Sequence, residues 1–331
     1  MSLTLGTNNF TQYEKDFFIT EATWGLDSIN KGLFYISPGV KNDQYTYPVL
    51  QANTKLQAFG SIPSDQQSTV LSNRTAVLGK FMGYETFEPA VFENHWQTSE
   101  LSDKLLSRSL PSTFESYLST YYTSKTFEPV EVMIHQGSTT YSAATGGSAA
   151  PGGPNESLVF FDGIIKQALN ASTPAQKVVN TGITSSNILD YLESAKQLLP
   201  KALLSKANRY ERLKIIMSVE DFQKYEDALT TQTFKNNDTT EKGISRYKGY
   251  DVVTVAGLPE NTFYFCECGP DMYSNLHLPI TDMSNISFEI NRLQNNSTLY
   301  FYKSIIKMGV IIGKPSEFVI CTNLTLADFN K

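Results

Sequence analysis

The opening 50 residues of this 331-residue chain carry aromatic side chains but no sustained period on which to bury them. Phe10, Phe17, Phe18, Trp24, Phe34 and Tyr35 stand singly among polar residues and glycine. A segment patterned this way has no core of its own, so its aromatics need another surface. Residues 45–90 read as extended. Pro48, Gly60, Pro63, Gly79 and Gly83 punctuate short strands there, and the polar stretch from Ser64 to Ser68 reads as a loop tip. The simplest reading is one long two-stranded excursion. Isolated hairpins are marginal in water, so this one also expects a partner.

Helices follow. Ser112 with Glu115 three residues on is a capping-box pattern, and Phe114, Tyr117, Leu118, Tyr121 and Tyr122 share one helical face. Pro129 predicts a kink or an end, because proline lacks a donor and clashes with the preceding turn. Residues 130–136 then resume the helix until Gly137, and the low-complexity stretch 139–154 reads as a flexible loop. A second helix is expected over 185–199, with Ile188, Tyr191, Leu192, Ala195, Leu198 and Leu199 as its stripe and Pro200 at its end. Leu213 to Met217 reads as a buried strand. Ser218 caps a third helix, with Asp221 at the box position and Phe222, Tyr225 and Leu229 inward. Residues 230–245 form a polar loop tip. From 247 onward the pattern is β, ending with Glu317 to Cys321 closing a sheet. The order of elements is α+β rather than a βαβ series.

Charge and cysteine usage narrow the function. The 27 basic and 33 acidic residues leave a net charge of −6, which is not the basic footprint of a nucleic-acid binder. Only 18% of residues are charged while 12% are aromatic. That balance suits a surface in contact with other protein. Three cysteines, Cys266, Cys268 and Cys321, do not make a disulfide framework and fit assembly in a reducing cytoplasm. The N-terminus lacks the cationic and apolar runs of a signal peptide, and residues 305–313 are too short to span a bilayer.

Catalytic and binding patterns are weak throughout. No phosphate loop, dinucleotide fingerprint or nucleophile elbow occurs. A Ser-His-Asp base could come only from His95, His135 or His277, and none has a recognisable catalytic setting. Cys266 and Cys268 share a strand face and could join Cys321 and His277 around zinc, but the spacing matches no knuckle, and buried free cysteines are the simpler reading. Lys206, Arg209, Arg212 and Lys214 form the densest basic segment, diluted by Glu211, and read as a solvated or intersubunit face. Asn237, Asp238 and Glu241 lack the alternating ligands of a calcium loop. No catalytic, cofactor-binding or metal-ligating residue is therefore assigned, and the chain does not read as an enzyme.

The order of the segments is itself a signal. TVLSNRTAVLGKFMGYETFEP (69–89), LPSTFESYLSTYYTSKTFEPVEVMIHQG (110–137), LVFFDGIIKQAL (158–169), LKIIMSVEDFQKYEDAL (213–229), YKGYDVVTVAGLPENTFYF (247–265) and FYKSIIKMGVIIGKPSEFVI (301–320) follow one another as do an extended loop, a spine helix, a strand-then-helix element and closing strands. Over residues 65–322 the chain resembles the major capsid proteins of tailed bacteriophages, which share the Hong Kong 97 capsid fold. The resemblance implies an N-terminal arm over 1–40 and an extended β-hairpin loop over 41–92. It also implies a peripheral domain with the spine helix over 93–180, an axial domain over 181–265 and peripheral return strands over 266–331. It implies a virion shell subunit that assembles with itself into hexamers and pentamers around double-stranded DNA, in the host bacterial cytoplasm. Its expected partners are a scaffolding protein, a portal and decoration proteins, with only non-specific proximity to DNA and no membrane. Lys55 and Lys80 lie in the implied loop, but no motif assigns them a covalent cross-link. The alternatives are the shell of an encapsulin-like nanocompartment and a non-capsid binding or adhesion protein.

Overall fold

The computed structural model describes residues 27–52, 56, 59, 69–88, 125–170, 175–231, 246–281, 287–293 and 296–330. The Ser112 capping box, the stripe from Phe114 to Tyr122 and the loop 232–245 lie outside the described residues, as do residues 1–26 of the expected arm. In chain order the described residues form helix α1 (Asp27–Asn30) and strands β1 (Tyr35–Ser37), β2 (Gln44–Ala52), β3 (Thr69–Val77) and β4 (Gly79–Phe87). Helix α2 (125–136), helix α3 (Ile164–Leu169), strand β5 (Gln176–Val179) and helices α4 (Ile188–Gln197), α5 (Lys201–Leu204) and α6 (Arg209–Arg212) come next. They are followed by β6 (Leu213–Met217), α7 (Val219–Thr231), β7 (Arg246–Tyr247), β8 (Tyr250–Thr254), β9 (Thr262–Glu267) and β10 (Leu276–Pro279). Strands β11 (Ser287–Leu293), β12 (Asn296–Met308), β13 (Ile311–Ile312) and β14 (Val319–Thr322) complete the set.

The largest sheet has the strand order β5-β14-β9-β6-β8-β7. Strand β9 runs antiparallel to both β14 and β6, whereas β5 with β14 and β6 with β8 are parallel pairs. Parallel neighbours need a crossover, and α7 lies in the one between β6 and β8. Strands covered on both faces become near-continuous apolar runs. All six residues of β9 are buried. Side-chain alternation then sorts these strands between two cores. Tyr264, Cys266, Ile216 and Ile320 join Met133 and Ile134 of α2, Ile164 and Ile165 of α3, and Tyr302 of β12. Phe263, Phe265, Ile215, Met217, Val319 and Cys321 join Ile188, Leu192 and Ala195 of α4 and Tyr225 of α7. One sheet thus supplies both cores, and the α+β reading holds.

Several local expectations are revised. Helix α2 runs on through Pro129 to residue 136. Proline costs a helix one backbone donor, and the burial of Val130, Met133 and Ile134 just beyond it outweighs that loss. The helix does stop at Gly137, where an added Cβ would lie 2.5 Å from the Phe161 carbonyl oxygen and 2.6 Å from that of Met133. The stretch 139–154 is a chain of hydrogen-bonded turns rather than a loose loop. Ala149 N donates to Ser142 O at 3.0 Å and Asn155 N to Ser148 O at 2.9 Å. Gly146 and Gly152 supply the positive φ of +84° and +80° that these turns require. Leu198, placed on the α4 stripe by its spacing, is 38% exposed, and Pro200 serves as the N-cap of α5.

The two-stranded reading of 45–90 holds only as far as residue 77. Strands β2 and β3 pair from Gln44 opposite Val77 to Ala52 opposite Thr69. Strand β4 then leaves them for β12, pairing from Gly79 opposite Met308 to Phe87 opposite Tyr300, with β11 on the other side of β12. At 13 residues, β12 is long enough to template all of β4. A fourth sheet, β1-β10-β13, sits beside the root of the hairpin.

Candidate assembly surfaces

The β2–β3 hairpin has two faces. Tyr45, Tyr47 and Val49 point one way, and their cross-strand partners are Ala76, Arg74 and Ser72. Near the root this face lies against the body: the Tyr47 ring centre is 4.4 Å from that of His277 on β10, and Val49 and Ala76 are buried. Gly313 leaves room for the Tyr47 ring, since a Cβ there would approach it to 3.0 Å. On the opposite face Leu50 stands directly across from Leu71, and each is 68% exposed. Val77 on this face and Val70, across from Gln51 on the other face, are also more than half exposed, and Leu56 and Phe59 are fully so. Large apolar side chains gathered on one projecting element mark an interaction surface rather than ordinary scatter. On β4, Met82 and Tyr84 extend the exposed apolar surface. A groove of about 420 Å³ lies between β4 and α2, lined by Phe81, Tyr84, Pro129, Met133, Phe160 and Tyr302 among others.

The basic segment is engaged within the chain. Lys206 Nζ lies 2.6 Å from Glu267 Oε2, and Arg212 Nε lies 3.0 Å from Glu267 Oε1. The Arg212 guanidinium also forks onto Asp271 at 2.6 and 2.7 Å. That hydrogen bonding holds the Asp271 carboxyl below the usual carboxylate range. Arg209 stacks over the Tyr210 ring at 4.6 Å. Two of its four cations, Lys206 and Arg212, are thus paired with carboxylates.

A buried polar cluster that the sequence did not single out ties α1 to α2. Ser28 N donates to Glu131 Oε1 at 3.2 Å, and Ser28 Oγ donates to the same oxygen. His135 Nε2 lies 3.0 Å from Ser28 Oγ, and Tyr264 OH lies 3.4 Å from His135 Nδ1. Burial pushes the Glu131 carboxyl up, but hydrogen bonds from His135 and Ser28 outweigh it and hold the group below its ordinary value. The cluster contains the Ser, His and acid of a hydrolase, but the carboxylate bonds the serine rather than the far imidazole nitrogen, which a triad requires. All three side chains are buried, so substrate has no path to them. Their work is to anchor α1, and Lys31 assists by donating to Thr254 O at 2.8 Å.

The remaining sequence candidates are dispersed. Cys266 and Cys268 face one core with their sulfurs 3.0 Å apart, while Cys321 faces the other. The sheet therefore separates these thiols, and no group of three His, Cys, Asp or Glu able to hold a metal occurs among the described residues. Burial pushes the Cys266 thiol well up and that of Cys321 to about 11, which disfavours the thiolate a metal needs. His277 sits at the hairpin root, and Lys80 lies on β4 opposite Lys307. His95, Lys55, Asn237, Asp238 and Glu241 fall outside the described residues. No helix among the described residues is long and apolar enough to cross a membrane.

No protein-family model and no curated protein matches the sequence. Solved structures do match the fold. The chain is similar to one in the satellite phage P4 procapsid that includes the size determination (Sid) protein, with 9% identity and a TM-score of 0.55 over 94% of this chain and 99% of that one. It is similar to the capsid of the empty GTA particle, with 10% identity and a TM-score of 0.56 over 89% of this chain and 88% of that one. This is the Hong Kong 97 capsid fold. The capsid fold also appears in the similarity to the capsid of cyanophage P-SCSP1u, with 12% identity and a TM-score of 0.51 over 90% of this chain and 88% of that one. At such identities the likeness is one of fold alone.

Proposed function

We propose that the chain is the major capsid protein of a tailed bacteriophage, a structural subunit that assembles with itself into the shell around a double-stranded DNA genome. The observation that carries this reading is a hairpin rooted in a capsid-fold body that turns the Leu50–Leu71 pair toward solvent. Obligate interfaces commonly exceed about 2,000 Å², and a projecting apolar hairpin adds contact area without enlarging the subunit core. In this reading residues 1–40 are an arm, 41–92 an extended loop, 93–180 with 266–331 a peripheral domain, and 181–265 an axial domain at the centre of hexamers and pentamers. Scaffolding, portal and decoration proteins are its expected partners, with assembly in the host cytoplasm and residence in the virion. The acidic balance and the pairing of Lys206 and Arg212 with Glu267 support no more than non-specific proximity to DNA.

Electron microscopy of the expressed protein tests the reading, together with the nucleic-acid content of particles that carry it. Closed shells or capsomer rings, and DNA inside mature particles, are expected. A protein that stays monomeric at all concentrations overturns the shell role, and shells filled with a protein cargo in place of DNA overturn the viral one.

A further inference from the structure

We infer that His277 is a pH-sensitive latch holding the root of the β2–β3 hairpin to the body. Its ring is fully buried among three tyrosines, with centre-to-centre distances of 4.4 Å to Tyr47, 5.2 Å to Tyr35 and 6.4 Å to Tyr45. His277 Nε2 lies 2.9 Å from the Ser274 carbonyl oxygen, which can only accept, so Nε2 carries the proton of the neutral ring. Nδ1 is then a buried acceptor with no partner among the described residues. A neutral ring leaves one lone pair unmet. A protonated ring places a charged donor at Nδ1 among aromatic rings, with no acceptor in reach.

The groups around it decide the direction. Tyr35 faces it from β1, Tyr45 and Tyr47 from β2, and Ile311 is its register partner on β13. Charge bears on the cluster through Glu317 and Glu267, both of which act on Tyr47, and through Lys314, 3.7 Å from Glu317. The tyrosine rings offer some cation–π attraction, yet burial dominates and holds the imidazole below its ordinary value, with the Ser274 bond opposing. Asp43, also at the root, is held below the carboxylate range by its hydrogen bond with Lys307 and keeps its charge through the histidine window. A histidine freed by opening titrates near about 6.5. The open root therefore binds more protons than the closed one, and closure weakens as pH falls through that value. Since Tyr45 and Tyr47 belong to β2, the hairpin loosens while the two cores keep their packing. Only the consequence for shells, an acid-softened intersubunit contact, rests on the capsid reading.

Amide hydrogen exchange on the full chain tests this between about pH 7.5 and 5.5, with rates corrected for intrinsic pH dependence. Protection over residues 44–52 and 69–77 should fall below about pH 6.5, by up to about tenfold per pH unit, the limit for one proton. Protection over β6 and β9 should stay constant. His277→Gln keeps a side-chain donor and cannot titrate, so it should abolish the pH dependence. A fall shared by all strands, or one that persists in His277→Gln, overturns the latch. If that variant does not fold, NMR titration of labelled histidine in the native chain decides: an apparent value at or above about 6.5 for His277 refutes the inference, and one below supports it. Failure to form shells, measured separately, would count against the capsid reading and leave the latch standing.

Discussion

Replacing Leu50 and Leu71 together with threonine separates assembly from folding. Each leucine is 68% exposed, and the two face each other across the hairpin on the side away from the body. Full burial of such a side chain is worth about 1.5–3 kcal/mol. With about two-thirds of each still open, covering them with a neighbouring subunit supplies about 1–2 kcal/mol apiece, or about 2–4 kcal/mol for the pair. At about 1.4 kcal/mol per factor of ten, that weakens each hairpin contact by about 30- to 700-fold. The isolated subunit should change by no more than about 0.5 kcal/mol, since neither residue is in a core and threonine retains strand propensity. Circular dichroism and thermal melting report the first quantity. Light scattering against protein concentration, with electron microscopy of the products, reports the second. Shells forming at the wild-type threshold concentration would refute the assignment of this face to assembly. A large fall in melting temperature would show that the pair belongs to the subunit core.

Other perturbations probe the anchors. Ser28→Ala removes the hydroxyl donor from Glu131 Oε1 and the hydroxyl partner of His135 Nε2, leaving only the backbone donor. It should cost about 1–3 kcal/mol, read as a lower urea midpoint at neutral pH. Because the Glu131 carboxyl is held below its ordinary value, its contribution is present above about pH 4.3 and is lost as pH falls through the folded value; Glu131→Gln should flatten that acid limb of the urea midpoint. Gly137→Ala drives a methyl against two carbonyl oxygens and should destabilise by about 1–3 kcal/mol in thermal melts, with reduced protection of 158–164 in hydrogen exchange. Arg212→Ala leaves the buried Glu267 carboxylate with Lys206 as its remaining cation and frees Asp271, for a loss of about 1–3 kcal/mol that Arg212→Lys, lacking the fork, restores only in part.

What the sequence made legible was short in range. Leu213 to Met217 stood out as an unbroken apolar run because β6 is buried on both faces, and Ser218 caps α7 by accepting from Asp221 N at 3.1 Å. The box was only half legible. Asp221 turns away from the cap and accepts from Thr262 N at 3.0 Å, a partner 41 residues distant that no local pattern reveals. The same limit hid the Ser28–Glu131 bond, which spans 103 residues, and the departure of β4 from the hairpin, which depends on a strand more than 200 residues later. Pro129 does not end the helix, because the local rule is set against the packing of Val130, Met133 and Ile134. The order of helices and strands still carried the fold, since that order is fixed by many weak signals at once. The exposed leucines were legible as apolar residues without a stripe, but not as one face, because their pairing requires the register of the hairpin.

The sheet that feeds both cores has a mechanical meaning. Alternate residues of β9, β14 and β6 are gripped from opposite sides, so neither set of helices can tilt without dragging strands held by the other. A force applied at one flank passes through in-plane backbone hydrogen bonds and spreads across six strands instead of concentrating at a joint. The body therefore behaves as a stiff plate, and compliance is left to elements outside it, such as the hairpin with its single row of aromatic contacts at the root. A closed surface tiled from such plates has to take its curvature from the angles between neighbours, because no single tile can bend.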